Sequence, residues 1–316
     1  MRVYRLQSPK AEAELAAKAE PNLRHIGFVG VTRRPWYDEL QRGLAAYGHI
    51  EGETVPIHYR WSEGDSLRFP DLVKELLDLP VELSVATGTP PVAAAKQVTG
   101  TTPIVFVEVG DPVGYGIVPS LTRPDGNVTG LSNNLYEYAP RSLRLFKEIV
   151  PGASRVAILS PAHNTGAGEW IKSMEAVAQA LDMVPRVYHA STAEELRRVL
   201  PGIDARTDVL VAAPDHGYLL HRATIVSAAM AAKIPVVCQQ PEYVLEGALL
   251  SFDPNRVELY RRLAYYVDAV LKGARPCDLP IEEPAKSWLM INLRSAKSLG
   301  IEIPGPILMR ADQVIE

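Results

Sequence analysis

From about residue 25 onward, short apolar runs alternate with segments of helical periodicity, and the same alternation starts again after residue 150. In the first half, HIGFVGV and PIVFVEV are predicted to be strands, and FPDLVKELLDL has the apolar spacing of a helix. In the second half, the strand pattern SRVAILSP precedes the helical pattern EWIKSMEAVAQAL. Strands that alternate with helices form βαβ units around a parallel sheet. The sequence therefore predicts an α/β protein with two doubly wound parallel-sheet lobes.

Irregular segments are predicted to connect these lobes as a three-crossing hinge. They are RPDGNVTGLSNNLYEYAP, which is rich in Gly, Asn and Pro and is predicted not to be helical, SFDPNR near residue 253, and the stretch around KSWLMINL. The predicted organisation is an N-terminal tail at 1–24, a first lobe at 25–132 plus 254–284, and a second lobe at 133–253 plus 285–316. Such an arrangement is typical of a clamshell that closes around a ligand.

The composition disfavours several classes of protein. With 33 basic and 37 acidic residues the formal net charge is −4, and no basic stripe supports nucleic-acid binding. No window approaches the roughly 18 uninterrupted apolar residues of a membrane helix. The polar N-terminus lacks the apolar region of an intact secretory signal peptide. Cys238 and Cys277 do not make a disulfide framework, and free thiols are the better interpretation.

Motifs for catalytic or cofactor chemistry are missing from the sequence. HIGFVG lacks the spacing of a dinucleotide-binding turn, and neither a Walker A lysine motif nor a GxSxG elbow occurs. No His/Cys cluster supports a metal site. We therefore predict a non-enzymatic protein with no catalytic residues, no metal and no cofactor.

The loops that directly follow the strands are the candidate sites, because parallel α/β sheets bind ligands at the carboxyl ends of their strands. In TGTPP, Thr87, Gly88 and Thr89 end a strand, and Pro90 fits the first turn of the next helix. Exposed N–H groups and two hydroxyls at such a helix start would suit a ligand carboxylate. The alternative is that Thr89 only caps its own helix.

The first of these loops, TRRPWY, combines two cations with an indole beside Thr32. Either Arg33 or Arg34 could clamp a carboxylate, and Trp36 could stack on a flat ligand. In the alternative interpretation both arginines are solvated and Trp36 packs within its lobe.

Carboxylates follow strands in both lobes. Asp111 and Glu242 could each hold an ammonium group, although Asp111 could also form only a turn before Pro112. Asp215 and His216 could be an acid–base pair, but a hydrogen-bonded turn is the expected arrangement.

Four longer segments carry a resemblance to a known family: EGETVPIHYRWSEGD, PIVFVEVGDPVGYGIVPSLTRPDGNVTGLS, EIVPGASRVAILSP and GARPCDLPIEEPAKSWLMINLRSAKSLGIEIPGPILMRADQVIE. From about residue 25 to the C-terminus, the chain resembles the ABC transporter substrate-binding proteins of the tryptophan/tyrosine-type group, which have the class I periplasmic-binding-protein fold. The resemblance implies a protein that presents a small ligand, often an amino acid or an aromatic compound, to an ABC permease in the membrane. It also implies a periplasmic or other extracytoplasmic location.

The resemblance further implies that ligand contacts lie in the strand-end loops, and two of these loops depart from the family. Members usually have a small, Ser-rich first loop where this chain has TRRPWY, and PAHNTGAG lacks an obvious amino-acid-binding pattern. We therefore expect a ligand with a carboxylate and a flat or apolar body. The predicted ligand-binding residues are Thr32, Arg33, Trp36, Thr87, Gly88, Thr89, Pro90, Asp111, Asn133, Asn134, His163, Asn164, Asp215, His216, Gln239 and Glu242.

Two other functions are compatible with the same fold pattern. A ligand-sensing module of a signalling or regulatory system would need a membrane tether or a DNA-binding helix-turn-helix. The predicted tail at 1–24 is too short for a helix-turn-helix. An α/β enzyme would need a nucleotide or metal motif. The leading expectation is hinge closure, which takes about 5.5 kcal/mol of differential binding to move from mostly open to mostly closed.

Overall fold

The computed structural model describes residues 23–161 and 167–316, with the side chains of residues 135–137, 167 and 216 excepted. By its internal contacts the chain divides into two compact units. The first unit comprises the described part of Met1–Asn133 together with Arg256–Pro284, and the second comprises Asn134–Asn255 together with Ala285–Glu316. The chain therefore passes from one unit to the other three times.

The first unit is built on a sheet of five parallel strands in the order β2-β1-β3-β4-β5. Numbered in chain order, its strands are β1 (His25–Gly30), β2 (Ile57–Trp61), β3 (Val81–Thr87), β4 (Ile104–Val109) and β5 (Val128–Ser132). Its helices are α1 (Tyr37–Ala46), α2 (Phe69–Leu77), α3 (Thr89–Val98) and α10 (Arg256–Leu271).

Helices cover both faces of this sheet, as the nearly continuous apolar character of its strands requires. Val105 and Val107 of β4 point to the face that packs against α1 and α10. Ile104 and Phe106, which alternate with them, point to the opposite face, where α2 and α3 pack. The unit therefore has two hydrophobic cores, one on each side of a single sheet.

The second unit contains a sheet in the order β12-β11-β10-β9-β8-β6-β7. Its strands are β6 (Arg155–Ser160), β7 (Val184–His189), β8 (Val209–Ala212), β9 (Val236–Cys238), β10 (Leu250–Pro254), β11 (Ser287–Asn292) and β12 (Gln313–Ile315). Its helices are α4 (Leu135–Ile149), α5 (Ala167–Ala180), α6 (Ala193–Val199), α7 (His216–Leu220), α8 (Arg222–Ala231), α9 (Pro241–Leu245), α11 (Leu293–Leu299) and α12 (Gly305–Leu308).

The predicted fold class of two doubly wound α/β lobes is confirmed, with one difference in the second sheet. Strands β10 and β11 pair antiparallel, whereas every other pair in this sheet is parallel. The start of α6 also follows the sequence pattern. Thr192 Oγ1 accepts a hydrogen bond from the Glu195 backbone at 3.2 Å, and the Glu195 carboxylate accepts one from the Thr192 backbone. These reciprocal bonds form a capping box.

The prediction that residues 135–140 are not helical is wrong, because they form the first turns of α4. Asn134, which precedes the helix, has a left-handed backbone with φ of 46°, a conformation that asparagine tolerates better than most residues. Pro140 costs the helix one backbone hydrogen bond. The helix persists because its apolar face, which includes Leu143 and Phe146, is buried in the core of the second unit.

Candidate functional site

The loop between β3 and α3 has the geometry of an open helix start. Gly88 has a φ of 90°, which few other residues adopt, and α3 begins at Thr89 with no side chain capping its N-terminus. The expected alternative, in which Thr89 caps its own helix, is therefore not observed. Thr87 is buried, and its hydroxyl lies 3.2 Å from that of Tyr37, while Pro90 is exposed in the first turn.

In the loop after β1, the two arginines occupy different environments. Arg33 is half-exposed and donates a 2.8 Å hydrogen bond to Asp38 in the first turn of α1. Arg34 is partly buried, and its guanidinium carbon lies 6.0 Å from the centre of the Trp36 ring. Thr32 is also partly buried. The Arg33 charge is thus already paired in the structure.

Trp36 lies beside a second cation as well. The guanidinium carbon of Arg256, at the start of α10, is 5.3 Å from the centre of the indole ring. Both cations are within the range at which the ring quadrupole attracts a positive charge. The indole is partly buried, and its Nε1 is inaccessible and has no hydrogen-bond partner among the described residues. A ligand therefore reaches the ring of Trp36 rather than its N–H group.

Strand β4 ends in a bulge centred on Glu108. The register with β5 shifts between Val107 and Val109, and Glu108 has a left-handed backbone with φ of 61°. Strict alternation would place the Glu108 side chain on the apolar face of Phe106. The bulge reverses the alternation, so that Val109 joins this face and the Glu108 carboxylate meets α10.

Two groups of α10 bind that carboxylate. Arg256 Nε donates to one oxygen at 2.7 Å, and the Tyr260 hydroxyl donates to the other at 3.0 Å. The ring of Tyr260 packs 5.2 Å from that of Tyr37. Burial, reinforced by the negative charge of Glu108, raises the pKa of Tyr37 above its ordinary value. The Tyr37 hydroxyl facing Thr87 therefore stays neutral at physiological pH.

The end of β5 contributes two asparagines and lies next to the loop that contains Asp111. Asp111 accepts a 2.8 Å hydrogen bond from the Gly114 backbone, as expected for a turn. The Asn133 backbone donates to the Val109 carbonyl at 3.1 Å. The Asn133 side chain is only 4% exposed, and its Oδ1 has no hydrogen-bond partner among the described residues. Asn134 follows it at the start of α4.

In the second unit, the expected turn at Asp215 is present. The Asp215 carboxylate accepts hydrogen bonds from the Gly217 and Tyr218 backbones at 2.8 and 3.2 Å and caps α7. Gln239 is buried after β9 and donates to the Ser142 hydroxyl at 3.0 Å.

Other strand ends of the second unit are also polar. Glu242 lies in the first turn of α9. At the end of β6, the buried Ser160 hydroxyl has no hydrogen-bond partner within residues 23–161 and 167–316. The predicted residues His163 and Asn164 lie outside the described residues, as does the side chain of His216, with which α7 begins.

The residues that the sequence did not single out are Glu108, Arg256, Tyr260 and Ser160. A signal for the first of them was present, because Glu108 is a carboxylate within the apolar run PIVFVEV. A charge in a buried strand needs a partner, but the sequence does not say which of the many basic residues supplies it. Arg256 is remote in the chain and is the last residue of the predicted crossing SFDPNR.

Neither a metal centre nor a membrane span is found in the part of the chain that the structure describes. No three His, Cys, Asp or Glu side chains there are grouped as metal ligands. None of the helices there combines the length and apolar character that crossing a bilayer requires.

Three similar proteins place the chain among known structures and sequences. A conserved domain protein from Vibrio cholerae is 27% identical, with a TM-score of 0.85 over 92% of this chain and 99% of that one. An ABC domain from Streptococcus pneumonia, solved in complex with L-Trp, is 24% identical, with a TM-score of 0.84 over 93% and 100% of the two chains. A tyrosine-binding protein from Clostridioides difficile (strain R20291) is 23% identical over 283 residues, which are 88% of this chain and 81% of that protein.

Two doubly wound α/β units with polar loops at the carboxyl ends of their parallel strands define a solute-binding protein. The family model of the ABC transporter substrate binding proteins matches residues 32–315, and the chain belongs to this family. Its role is that of the component of an ABC transporter that binds the small-molecule solute, and the family acts outside the cytoplasm.

Proposed function

We propose that this protein captures a small aromatic acid or aromatic amino acid, with the Trp36 indole as the ring-binding group of the first unit. The observation that carries the proposal is the indole itself, which is partly buried in the loop after β1, beside two guanidinium groups. A flat ligand can stack on such a ring.

The ligand carboxylate is assigned to the start of α3. The Gly88 N–H already donates to the Val107 carbonyl at 2.9 Å. Pro90 and Pro91 have no N–H, so Thr89 supplies the backbone donor at this uncapped helix N-terminus, where the helix dipole favours an anion. The buried Oδ1 of Asn133 is a complementary acceptor for a ligand ammonium or hydroxyl group. Thr89 follows β3 and Asn133 follows β5, and β4 lies between these two strands in the sheet.

Gln239 and Glu242 remain candidate ligand contacts in the second unit. Asp111 and Asp215 have supporting roles, because both carboxylates hold backbone N–H groups of their own turns. Arg33 also has a supporting role, because Asp38 pairs with it. The acid–base pair considered for Asp215 is therefore replaced by a helix cap.

The family relationship supports the wider assignment. The protein delivers its ligand to an ABC permease, works in the periplasm or an equivalent extracytoplasmic space, and does not transform what it binds. One neighbour was solved in complex with L-Trp, and one relative is a tyrosine-binding protein. These two proteins support an aromatic amino acid as the first ligand to test.

Calorimetry with five probes tests the ligand class. L-Tryptophan and L-tyrosine are expected to bind, tryptamine (the same ring without the carboxylate) at least about tenfold more weakly, and L-leucine more weakly than either aromatic amino acid. 4-Hydroxybenzoate reports whether the ammonium group is needed. Chromatography of the recovered ligand is expected to show it unchanged.

A matched pair of variants tests the site. Trp36→Phe removes the indole and is expected to weaken binding. Trp170→Phe is the matched control, because it removes an indole that is packed in the core of the second unit and whose Nε1 likewise lacks a partner among the described residues. It is expected to leave the affinity unchanged. Equal affinities for Trp36→Phe and the unmodified protein, or equal binding of tryptamine and L-tryptophan, would overturn the proposed site.

A further inference from the structure

The backbone of Glu108 is in a conformation that has to be held by its surroundings. A left-handed φ of 61° at a residue with a long side chain is strained, and it persists only where neighbouring contacts fix it. Here the contacts are the two hydrogen bonds that the carboxylate accepts from Arg256 and Tyr260. The bulge of β4 therefore depends on the first turns of α10.

The same two partners touch the side chains assigned to the ligand. Arg256 lies against the Trp36 indole, with 5.3 Å between the guanidinium carbon and the ring centre. The Tyr260 ring packs on Tyr37, whose hydroxyl lies 3.2 Å from that of Thr87. One carboxylate thus connects to the indole through Arg256 and to the end of β3 through the two tyrosines.

The geometry of Arg256 also sets the plane of the indole. The guanidinium is a flat group, and its Nε is held by the hydrogen bond to Glu108. This bond fixes the orientation of the guanidinium plane, whereas a lysine ammonium has no plane to fix. The side chains of Glu108 and Arg256 are only 9% and 8% exposed, so solvent screens their interaction weakly. A rigid cation on one side restricts the rotation of the ring.

We propose that Glu108 is a positioning residue for ligand binding, which holds Arg256 and Tyr260 so that the Trp36 indole and the Thr87 hydroxyl are set before the ligand arrives. This inference rests on the proposed function of Trp36, but the orientation of the indole can be measured without any ligand.

The first experiment follows the Trp36 indole N–H signal in the ¹⁵N-labelled, ligand-free protein by NMR relaxation. Glu108→Gln is expected to shift this signal and to increase the fast motion of the indole, whereas the indole signals of Trp170 and Trp288, which lie in the second unit, change little. Tyr260→Phe, which removes one hydroxyl, serves if Glu108→Gln does not fold. An unchanged Trp36 signal in a folded variant overturns the inference.

The matched control is Asp268→Asn. Asp268 is a similarly buried carboxylate on the same helix, and its described partners are His49 and Lys272, at 2.9 and 2.8 Å. Both variants lose a buried ion pair, so a merely structural role predicts similar falls in Tm and the same indole signal for both. Only the positioning role predicts that the Trp36 indole signal responds to Glu108→Gln and not to Asp268→Asn.

The second experiment measures L-tryptophan affinity in a double-mutant cycle. Glu108→Gln is expected to weaken binding about tenfold in the protein that has Trp36, and by much less in the Trp36→Phe background. Arg256→Lys, which keeps the charge but loses the flat group, is expected to behave like Glu108→Gln. Additive effects in the cycle overturn the positioning role even if Trp36→Phe alone shows that the proposed ligand site is correct.

Discussion

Arg256 Nε donates a 2.7 Å hydrogen bond to the carboxylate of Glu108, a residue 148 positions earlier in the chain. Both side chains are less than one tenth exposed. The bond joins the first turn of α10 to the carboxyl end of the strand β4, and it brings a guanidinium group against the indole in the loop that follows strand β1. The same bond is therefore expected to matter for both stability and binding.

Removing one partner of this pair leaves the other charge buried. We expect Glu108→Gln to lower the free energy of unfolding by about 3–5 kcal/mol, measured by urea denaturation. The double variant Glu108→Leu/Arg256→Met removes both charges and is expected to be more stable than Glu108→Gln. A double variant no more stable than the single one would contradict this account of the pair.

Helices α1 and α10 approach closely at Gly43. A Cβ at this position would lie 2.7 Å from the Cβ of Ala264 and 3.2 Å from the Arg261 carbonyl oxygen. Overpacking of this kind costs about 1–3 kcal/mol and outweighs the gain of about 1 kcal/mol in helix propensity. Gly43→Ala is therefore expected to lower the Tm, whereas Gly168→Ala, in a helix with open space around that position, is expected to leave it unchanged or to raise it slightly.

Gly130 lies in β5 with φ of 152°, and a Cβ there would be 2.1 Å from the Phe106 carbonyl oxygen. Because the clash is with backbone atoms of the neighbouring strand, no side-chain rotation relieves it. Gly130→Ala is expected to destabilise the protein by more than about 2 kcal/mol. Gly126→Ala has a positive φ of 72° but open space, so it isolates the cost of the backbone conformation. Equal losses of stability for the two variants would rule out the steric explanation.

Asp268 predicts a specific pH dependence. Burial acts to raise the pKa of Asp268, but the hydrogen bonds from Lys272 and His49 outweigh it and hold the pKa below its ordinary value. Because the folded state binds this proton less readily than the unfolded chain, the carboxylate stabilises the fold above the unfolded pKa of about 3.9, and this contribution is lost as the pH falls through the lower folded value.

The measurement compares the free energy of unfolding of Asp268→Asn with that of the unmodified protein between about pH 6 and pH 3. The difference is expected to be largest at the upper end and to shrink toward the lower end. A difference that stays constant over this range would mean that the charge of Asp268 does not stabilise the fold.

The periodicity of the sequence was sufficient to predict the two α/β lobes and the loops in which ligand contacts are sought. Strand alternation and helical spacing are local properties. An apolar run such as PIVFVEV is typical of a strand in a parallel sheet that is covered on both faces. The same local reasoning was wrong for residues 135–140, because a Gly/Asn/Pro-rich composition does not reveal that the following apolar face would hold the helix together.

Sequence reasoning named Trp36, Thr87 and the residues around them, but it chose Arg33 and left out Arg34, and it did not find the role of Glu108. The role of Glu108 depends on which side of β4 its carboxylate faces and on which distant helix meets it. A one-residue bulge changes the first, and the packing of α10 decides the second. The sequence by itself determined the elements and their loops, since these follow from local spacing; only the tertiary structure decided the pairing of charges, since that depends on contacts between residues far apart in the chain.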